Sequence, residues 1–285
     1  MKIDYRLRKQ IVIGTILAAI ILLVGFWIYF SAFHQGATCF DNNQNQKEEG
    51  VDCGGPCEIS CERATLKDIQ TEWVEVIRLK TGVYDLAAKV QNPNPNYGLS
   101  RFYYTFKLLD VNDALVKEQA GDSFILPGQT KYLIAGSVPA SEGVVRAELV
   151  IKSPTKTDWQ KLNQQYQQPD IYVFDKQFSF LEGQTALARA AGTVKNSSHF
   201  DFDRIYVSII LFGSQKQVLG VNQTQVWTVL SGEERYFSAL WFTPINEPVA
   251  FFDIMAETNP LVVDNFLIRF GEAEKFQAQG ASPAP

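Results

Sequence analysis

An uncharged apolar run from Ile11 to Phe33, followed closely by four cysteines, constrains this chain more than any other feature. About 23 residues at about 1.5 Å rise span roughly 34 Å, enough to cross the hydrocarbon core of a bilayer. The run therefore reads as a transmembrane helix over residues 11–33, preceded by a basic leader over residues 1–10. Lys2, Arg6, Arg8 and Lys9 against Asp4 give that leader a net charge of +3. The first charged residues beyond the run, Asp41, Lys47, Glu48, Glu49 and Asp52, are mostly acidic. Positive flanks stay cytoplasmic, so the expectation is a single-pass protein of the cell membrane, with its amino terminus inside and everything after Phe33 outside. Trp27 and Tyr29 sit near the outer end, as interfacial aromatics do. A cleaved signal peptide would have a shorter apolar core of about 7–15 residues and an A-x-A-like exit. Neither Phe30-Ser-Ala32 nor Gln35-Gly-Ala37 fits that pattern, and Thr38 before Cys39 suits a lipoprotein poorly.

Removing the leader from the chain's net charge of −5 leaves −8 on the part beyond it. An acidic surface with no basic block argues against nucleic acid or anionic lipid as the main partner. The cysteines Cys39, Cys53, Cys57 and Cys61 are the only four in the chain. In an oxidising compartment an even, tightly spaced set reads as two disulfides, with three connectivities open. A four-thiolate zinc site is the rival, but its C-x2-C pairs are missing and its thiolates favour a reducing interior.

The segment from Cys39 to Cys57, with Asp41, Asn45, Glu48, Gly50, Asp52, Cys53, Gly54 and Gly55 in place, resembles a cysteine-rich module of bacterial exported proteins. The pattern is C-x-D-G-x-x-N-x-x-E-x-G-x-D-C-G-G-x-C-x-x-C. Asn42 stands where that pattern has glycine, and the last cysteine spacing is one residue longer. Oxygen-bearing Asp41, Asn43, Asn45, Glu48 and Asp52 form a candidate calcium loop, although the EF-hand spacing is absent. Solvated turns are the alternative use of such residues.

Past Arg63 the sequence repeats at an offset of 104 residues, carrying Leu126-Pro-Gly-Gln-Thr-Lys-Tyr132 onto Leu230-Ser-Gly-Glu-Glu-Arg-Tyr236. Val90-Gln-Asn92 meets Val194-Lys-Asn196, and Phe102, Tyr104, Phe106 and Leu108 meet Tyr206, Ser208, Ile210 and Phe212 without a gap. A period this long marks a duplicated domain, not a solenoid unit. Phe102 to Leu108 alternates with polar residues, the signature of a half-buried strand. Ile205–Phe212 is almost continuously apolar and reads as a central strand covered on both faces. Further strand runs are Trp73–Leu79, Val83–Gln91, Ala114–Glu118, Ser123–Leu126, Lys131–Ser137 and Val144–Ile151. About seven short strands per copy, 20 Phe and 11 Tyr against two Met, indicate an all-β ectodomain. The expected fold is two tandem immunoglobulin-like antiparallel β-sandwiches behind one N-terminal transmembrane helix.

At Phe106-Lys-Leu-Leu-Asp110 the first copy resembles the FxLYD family of prokaryotic surface domains, with Leu109 in place of the tyrosine. Val90-Gln-Asn-Pro-Asn-Pro and Leu126-Pro-Gly-Gln-Thr fit as well. The second copy keeps Val194-Lys-Asn196 and the Gly232 turn but has Ile-Leu-Phe-Gly-Ser for the signature. The resemblance implies a non-catalytic sandwich in a bacterial envelope and carries over no binding residues.

The division expected is a cysteine-rich stalk over 34–63, sandwiches over 64–152 and 170–270, a linker over 153–169 and a disordered tail over 271–285. Only His34 and His199 are present, and no metal-binding helix pair, nucleophile elbow or phosphate loop occurs. His199 beside Ser197, Ser198, Asp201 and Asp203 is a mock triad, since working triads draw on separated positions. Asn196-Ser-Ser and Asn222-Gln-Thr are glycosylation sequons. The functional expectation is a non-enzymatic protein without cofactor, catalytic group or metal requirement, binding an unidentified envelope protein or cell-surface ligand. The alternatives are an accessory or sensor subunit of an envelope complex, or a hydrolase. Tyr97 in the Asn92–Ser100 loop, with Phe200 and Phe202 in the Asn196–Asp203 loop, are the candidate partner-binding residues; the alternative for the two phenylalanines is to cap the core.

Overall fold

The computed structural model describes residues 5–33, 39–45 and 47–271. His34, the other residues of 34–38 and the tail from 272 lie outside the described residues. Helix α1 runs from Tyr5 to Phe33, and its stretch Arg8–Ser31 is long and apolar enough to cross a membrane. Ile11, Leu17, Leu22 and Phe26 are each more than half exposed, pointing in several directions around the helix. A helix apolar all round with nothing covering it matches a lipid environment better than water. Thr15 donates its hydroxyl to the carbonyl of Ile11, so its polar atom is satisfied within the helix.

The cysteine-rich segment is pinned by the disulfides Cys39–Cys57 and Cys53–Cys61. Its backbone turns left-handed at Gly54 and Gly55, and a Cβ on Gly55 would lie 2.1 Å from the carbonyl oxygen of Lys47. Only glycine fits there. Asn42 takes φ 59°, which explains how it replaces a glycine: asparagine is among the residues that tolerate this region. The short helix α2, Cys61–Ala64, is capped by Ser60, whose hydroxyl accepts the N–H of Arg63.

From Leu66 onward the chain forms a separate compact unit containing two β-sandwiches. The first consists of β1 (Gln70–Lys80), β2 (Val83–Gln91), β3 (Tyr97–Leu109), β4 (Leu115–Ile125), β5 (Thr130–Pro139) and β6 (Arg146–Ile151). One antiparallel sheet has the order β1-β2-β5 and the other β4-β3-β6. Six strands stand where seven were expected, because Ala114–Glu118 and Ser123–Leu126 belong to one strand. Gly121 hides its middle from the alternation pattern. A Cβ at Gly121 would lie 2.6 Å from the Tyr104 ring, so the aromatic side chain of β3 occupies the space that a β4 side chain would fill.

The connecting strap includes a two-residue strand β7 (Gln160–Lys161), which pairs with Tyr97 and Gly98. The second sandwich repeats the topology with β8 (Ile171–Phe180), β9 (Ala188–Asn196), β10 (Phe202–Phe212), β11 (Val218–Val229), β12 (Glu234–Trp241) and β13 (Phe251–Glu257). Its sheets are β12-β9-β8 and β11-β10-β13. A 3-10 turn (Pro260–Val262) and helix α3 (Asp264–Phe270) complete the unit.

The two cores are separate. Leu86, Val90, Leu99, Phe106, Leu108 and Ile125 anchor the first, and Val194, Ile205, Val207, Ile209, Leu211 and Trp241 the second. The gap-free match of β3 onto β10 is therefore one residue out of phase. Val207 and Ile209 face their core as Tyr104 and Phe106 face theirs, while Tyr206, Ser208, Ile210 and Phe212 point out of the sandwich. The cause is the preceding loop. Asn92 reaches the carbonyl of Tyr97, five residues on, whereas Asn196 reaches that of Phe200, four residues on. In a strand, a slip of one residue exchanges the two faces.

The outward face of β10 is covered by the first sandwich. Ile210 and Val221, with Phe212, Val218 and Met255, pack on Ala87 and Tyr132 together with Trp73, Ile77 and Ile134. The sheet β1-β2-β5 thus stacks on β11-β10-β13, which is why residues 207–211 are buried on both faces. A second apolar cluster joins Phe124 and Leu126 to Leu162, Leu261, Phe266 and Phe270. The segment read as a linker is consequently part of the folded body. Trp159 is 1% exposed in the first core, and Asn163 donates its backbone N–H to Phe270 and its side-chain amide to Arg269. Trp159 stands out in that Gln- and Lys-rich segment as an anchor, whereas the composition masked Leu162, 2% exposed.

Candidate binding cleft between the sandwiches

The turn Leu126–Gln129 leads into β5 and places Lys131 between the two sandwiches. Its side chain is 1% exposed, and its ammonium lies 2.8 Å from Glu257 Oε1 of β13. Glu257 Oε2 accepts the side-chain amide of Gln129 at 2.8 Å. The ring of Phe124 lies 3.8 Å from the Lys131 nitrogen, a cation–π contact that replaces part of the lost hydration. Burial pushes the Lys131 pKa down, and the Glu257 carboxylate opposes that shift without cancelling it. Next to it, Tyr132 donates its hydroxyl to Asp253 at 2.8 Å, and burial raises its pKa.

Above this pair opens a cleft of about 480 Å³, lined from the first sandwich by Ser100, Arg101, Tyr104, Asp122 and Ser123 and from the second by Tyr206, Gln223 and Asn259. Arg101 at the rim is paired with Asp122 at 3.0 Å. Tyr104 is 8% exposed, and its phenol is pushed up to about 12 by burial first and by Asp122 second. Its hydroxyl has no hydrogen-bond partner among the described residues. Asn259 donates its amide to the carbonyl of Ser100, while its Oδ1 is buried with no partner. A phenol on a cleft wall without a protein partner can hydrogen-bond a ligand. Nothing in the sequence marked these positions, because the cleft is assembled from residues of both sandwiches.

The expected partner-binding residues are elsewhere and are covered. Tyr97 is 3% and Phe202 2% exposed, and the half-buried Phe200 packs 5.2 Å from Phe266 and 6.0 Å from Phe270, ring to ring. The loop-tip reading is therefore corrected: these aromatics pack into cores and clusters, and exposed Pro95 and Asn96 form the tip of the first loop. The cause is the buried asparagine in each copy. Asn92 donates to the carbonyls of Tyr97 and Leu126, and Asn196 to those of Phe200 and Val229. Each amide folds its loop down over the sandwich end. Asn196 is fully buried, so its sequon is closed to modification.

The mock triad does not assemble. Ser198 donates its hydroxyl to Asn196 Oδ1, Asp201 accepts the backbone N–H of Ser231, and His199 is exposed. The carboxylates among the calcium candidates, Asp41, Glu48 and Asp52, accept hydrogen bonds within the loop itself. Asp52 accepts the backbone N–H groups of Asp41 and Asn42, Glu48 those of Asn45 and Asp52, and Asp41 that of Asn43. Among the described residues, the one cluster of metal-capable groups is Cys39, Glu48 and Cys57, and both its sulfurs are joined to each other.

No family model matches the sequence, and no curated protein matches it. Among solved structures, the chain is similar to red sea bream transglutaminase at 9% identity and a TM-score of 0.17. The match covers 68% of this chain but only 30% of that one, and carries no inference about activity.

Proposed function

We propose that the chain is a single-pass membrane protein of the bacterial cell envelope, whose extracytoplasmic part acts by non-catalytic binding or scaffolding. The observation that carries this reading is where the buried polar side chains go. Asn92, Asn196, Gln129, Lys131 and Glu257 are all committed to holding loops or joining the two sandwiches. The result is a single presenting body, and the apolar helix α1, the disulfide-pinned segment and the tandem FxLYD resemblance favour the same reading. Its amino terminus is assigned to the cytoplasm by the basic leader.

Protease added outside intact cells, or outside spheroplasts if an outer membrane is present, should digest the region beyond residue 34. Chemical crosslinking in membranes followed by purification should recover an envelope partner. Protection of the carboxy-terminal body would overturn the orientation. A turnover activity in the purified protein would overturn the non-catalytic reading.

A further inference from the structure

We propose that the cleft between the sandwiches is a binding site for a neutral saccharide. This rests on reading the protein as a binding protein, and it adds the chemical class of the ligand. The charged groups on the lining cancel: Arg101 is matched by Asp122 and Lys131 by Glu257, each pair within hydrogen-bonding distance. An anionic ligand would have to break one of these pairs to gain a cation, so net charge is disfavoured on both sides. A purely apolar ligand is equally mismatched, because Ser100, Ser123, Gln223, Asn259 and the Tyr104 phenol share the walls.

What the walls offer is a set of partners for hydroxyl groups. The Tyr104 phenol, without a hydrogen-bond partner among the described residues, offers the cleft both a donor and an acceptor. A ligand hydroxyl, which also carries both functions, can pair with it in either direction. The aromatic rings of Tyr132 and Tyr206 give the C–H face of a sugar ring apolar surface to lie on. A volume of about 480 Å³ falls within the ordinary range of small-ligand sites, roughly 300–1,000 Å³, with room for more than one sugar ring. Placement supports the same reading. The site lies where two rigid sandwiches meet, a preferred location for ligand clefts, and the interlock below it holds the walls at fixed separation.

The test uses the full chain in nanodiscs and saturation-transfer NMR with three neutral probes, maltotetraose, mannotetraose and chitotetraose, against tetragalacturonate as an acidic control. Transfer to at least one neutral probe, with none to the acidic one, is expected. Tyr104→Phe keeps the ring and removes only the unpartnered hydroxyl, so the melting temperature should be unchanged while affinity falls about tenfold. Silence with all three neutral probes, equal transfer to tetragalacturonate, or binding undiminished in Tyr104→Phe would each overturn the proposal. These outcomes leave the envelope-partner reading standing, because that depends on crosslinking and not on the cleft.

Discussion

Replacing Glu257 by Gln isolates the energetic role of the interlock. The wild-type carboxylate is 6% exposed and neutralises an ammonium that is 1% exposed. Removing its charge leaves the Lys131 ammonium buried without a counter-ion, held only by neutral contacts such as the amide oxygen and the Phe124 ring. Breaking a buried pair from one side costs about 3–5 kcal/mol. For a unit of this size, about 2–4 °C of melting temperature corresponds to each kcal/mol, so the expected drop is about 6–20 °C at pH 7. The deficit should also depend on pH with a definite sign. Lys131 titrates below its ordinary 10.5 in the folded state, so the unfolded chain binds more protons between those two values. Stability of the variant should therefore rise as pH climbs through the depressed value toward 10.5. Replacing both partners, Lys131→Met with Glu257→Leu, should recover most of the loss, because it leaves no orphan charge. Thermal unfolding followed by circular dichroism measures all three proteins. A Glu257→Gln variant within about 0.5 kcal/mol of its parent would refute the reasoning, since ordinary surface substitutions stay in that range.

Non-reducing peptide mapping should recover Cys39 joined to Cys57 and Cys53 joined to Cys61, and any other pairing would contradict the described segment. Asn92→Ala removes a donor from two carbonyls and should destabilise the first sandwich by about 2–4 kcal/mol, read in denaturant titrations; a neutral result would mean water replaces the amide. Trp159→Ala should cost about 3–5 kcal/mol, as a core truncation does, whereas a free linker would register almost nothing.

Much of the architecture was legible because strand periodicity reports local burial. The alternation at Phe102–Leu108 located β3, and the unbroken run at Ile205–Phe212 correctly announced a strand covered on two sides. It could not say what covers the second side, since Ile210 meets Ala87 and Tyr132 only after both sandwiches exist. The one-residue slip between β3 and β10 was invisible for a related reason. Tyr206, Ile210 and Phe212 are apolar on account of the neighbouring sandwich, so a gap-free alignment matched hydrophobicity that serves different purposes. Tyr97 and Phe202 were misread because loop composition suggests exposure, while the asparagine that folds each loop inward looks like any turn residue. The cleft had no local signal at all. Lys131 and Glu257 lie in different copies, and their pairing is a property of the tertiary contact alone.

The stacking of the two sandwiches imposes an order of events on synthesis. Trp73, Ile77, Tyr132 and Ile134 emerge in the first sandwich, but the residues that cover them, Ile210, Val221 and Met255, follow much later in the chain. Until then the newborn first domain carries an adhesive surface. The last described element to arrive is α3, whose Phe266 and Phe270 close over Leu162 of the strap. Gly271 then bridges to that same leucine. A chain cut short before this helix would present two formed sheets without their clasp, and such unfinished apolar surfaces are where misassembly between neighbouring chains begins. The docking of α3 is thus the point at which a sticky intermediate becomes a closed sandwich pair.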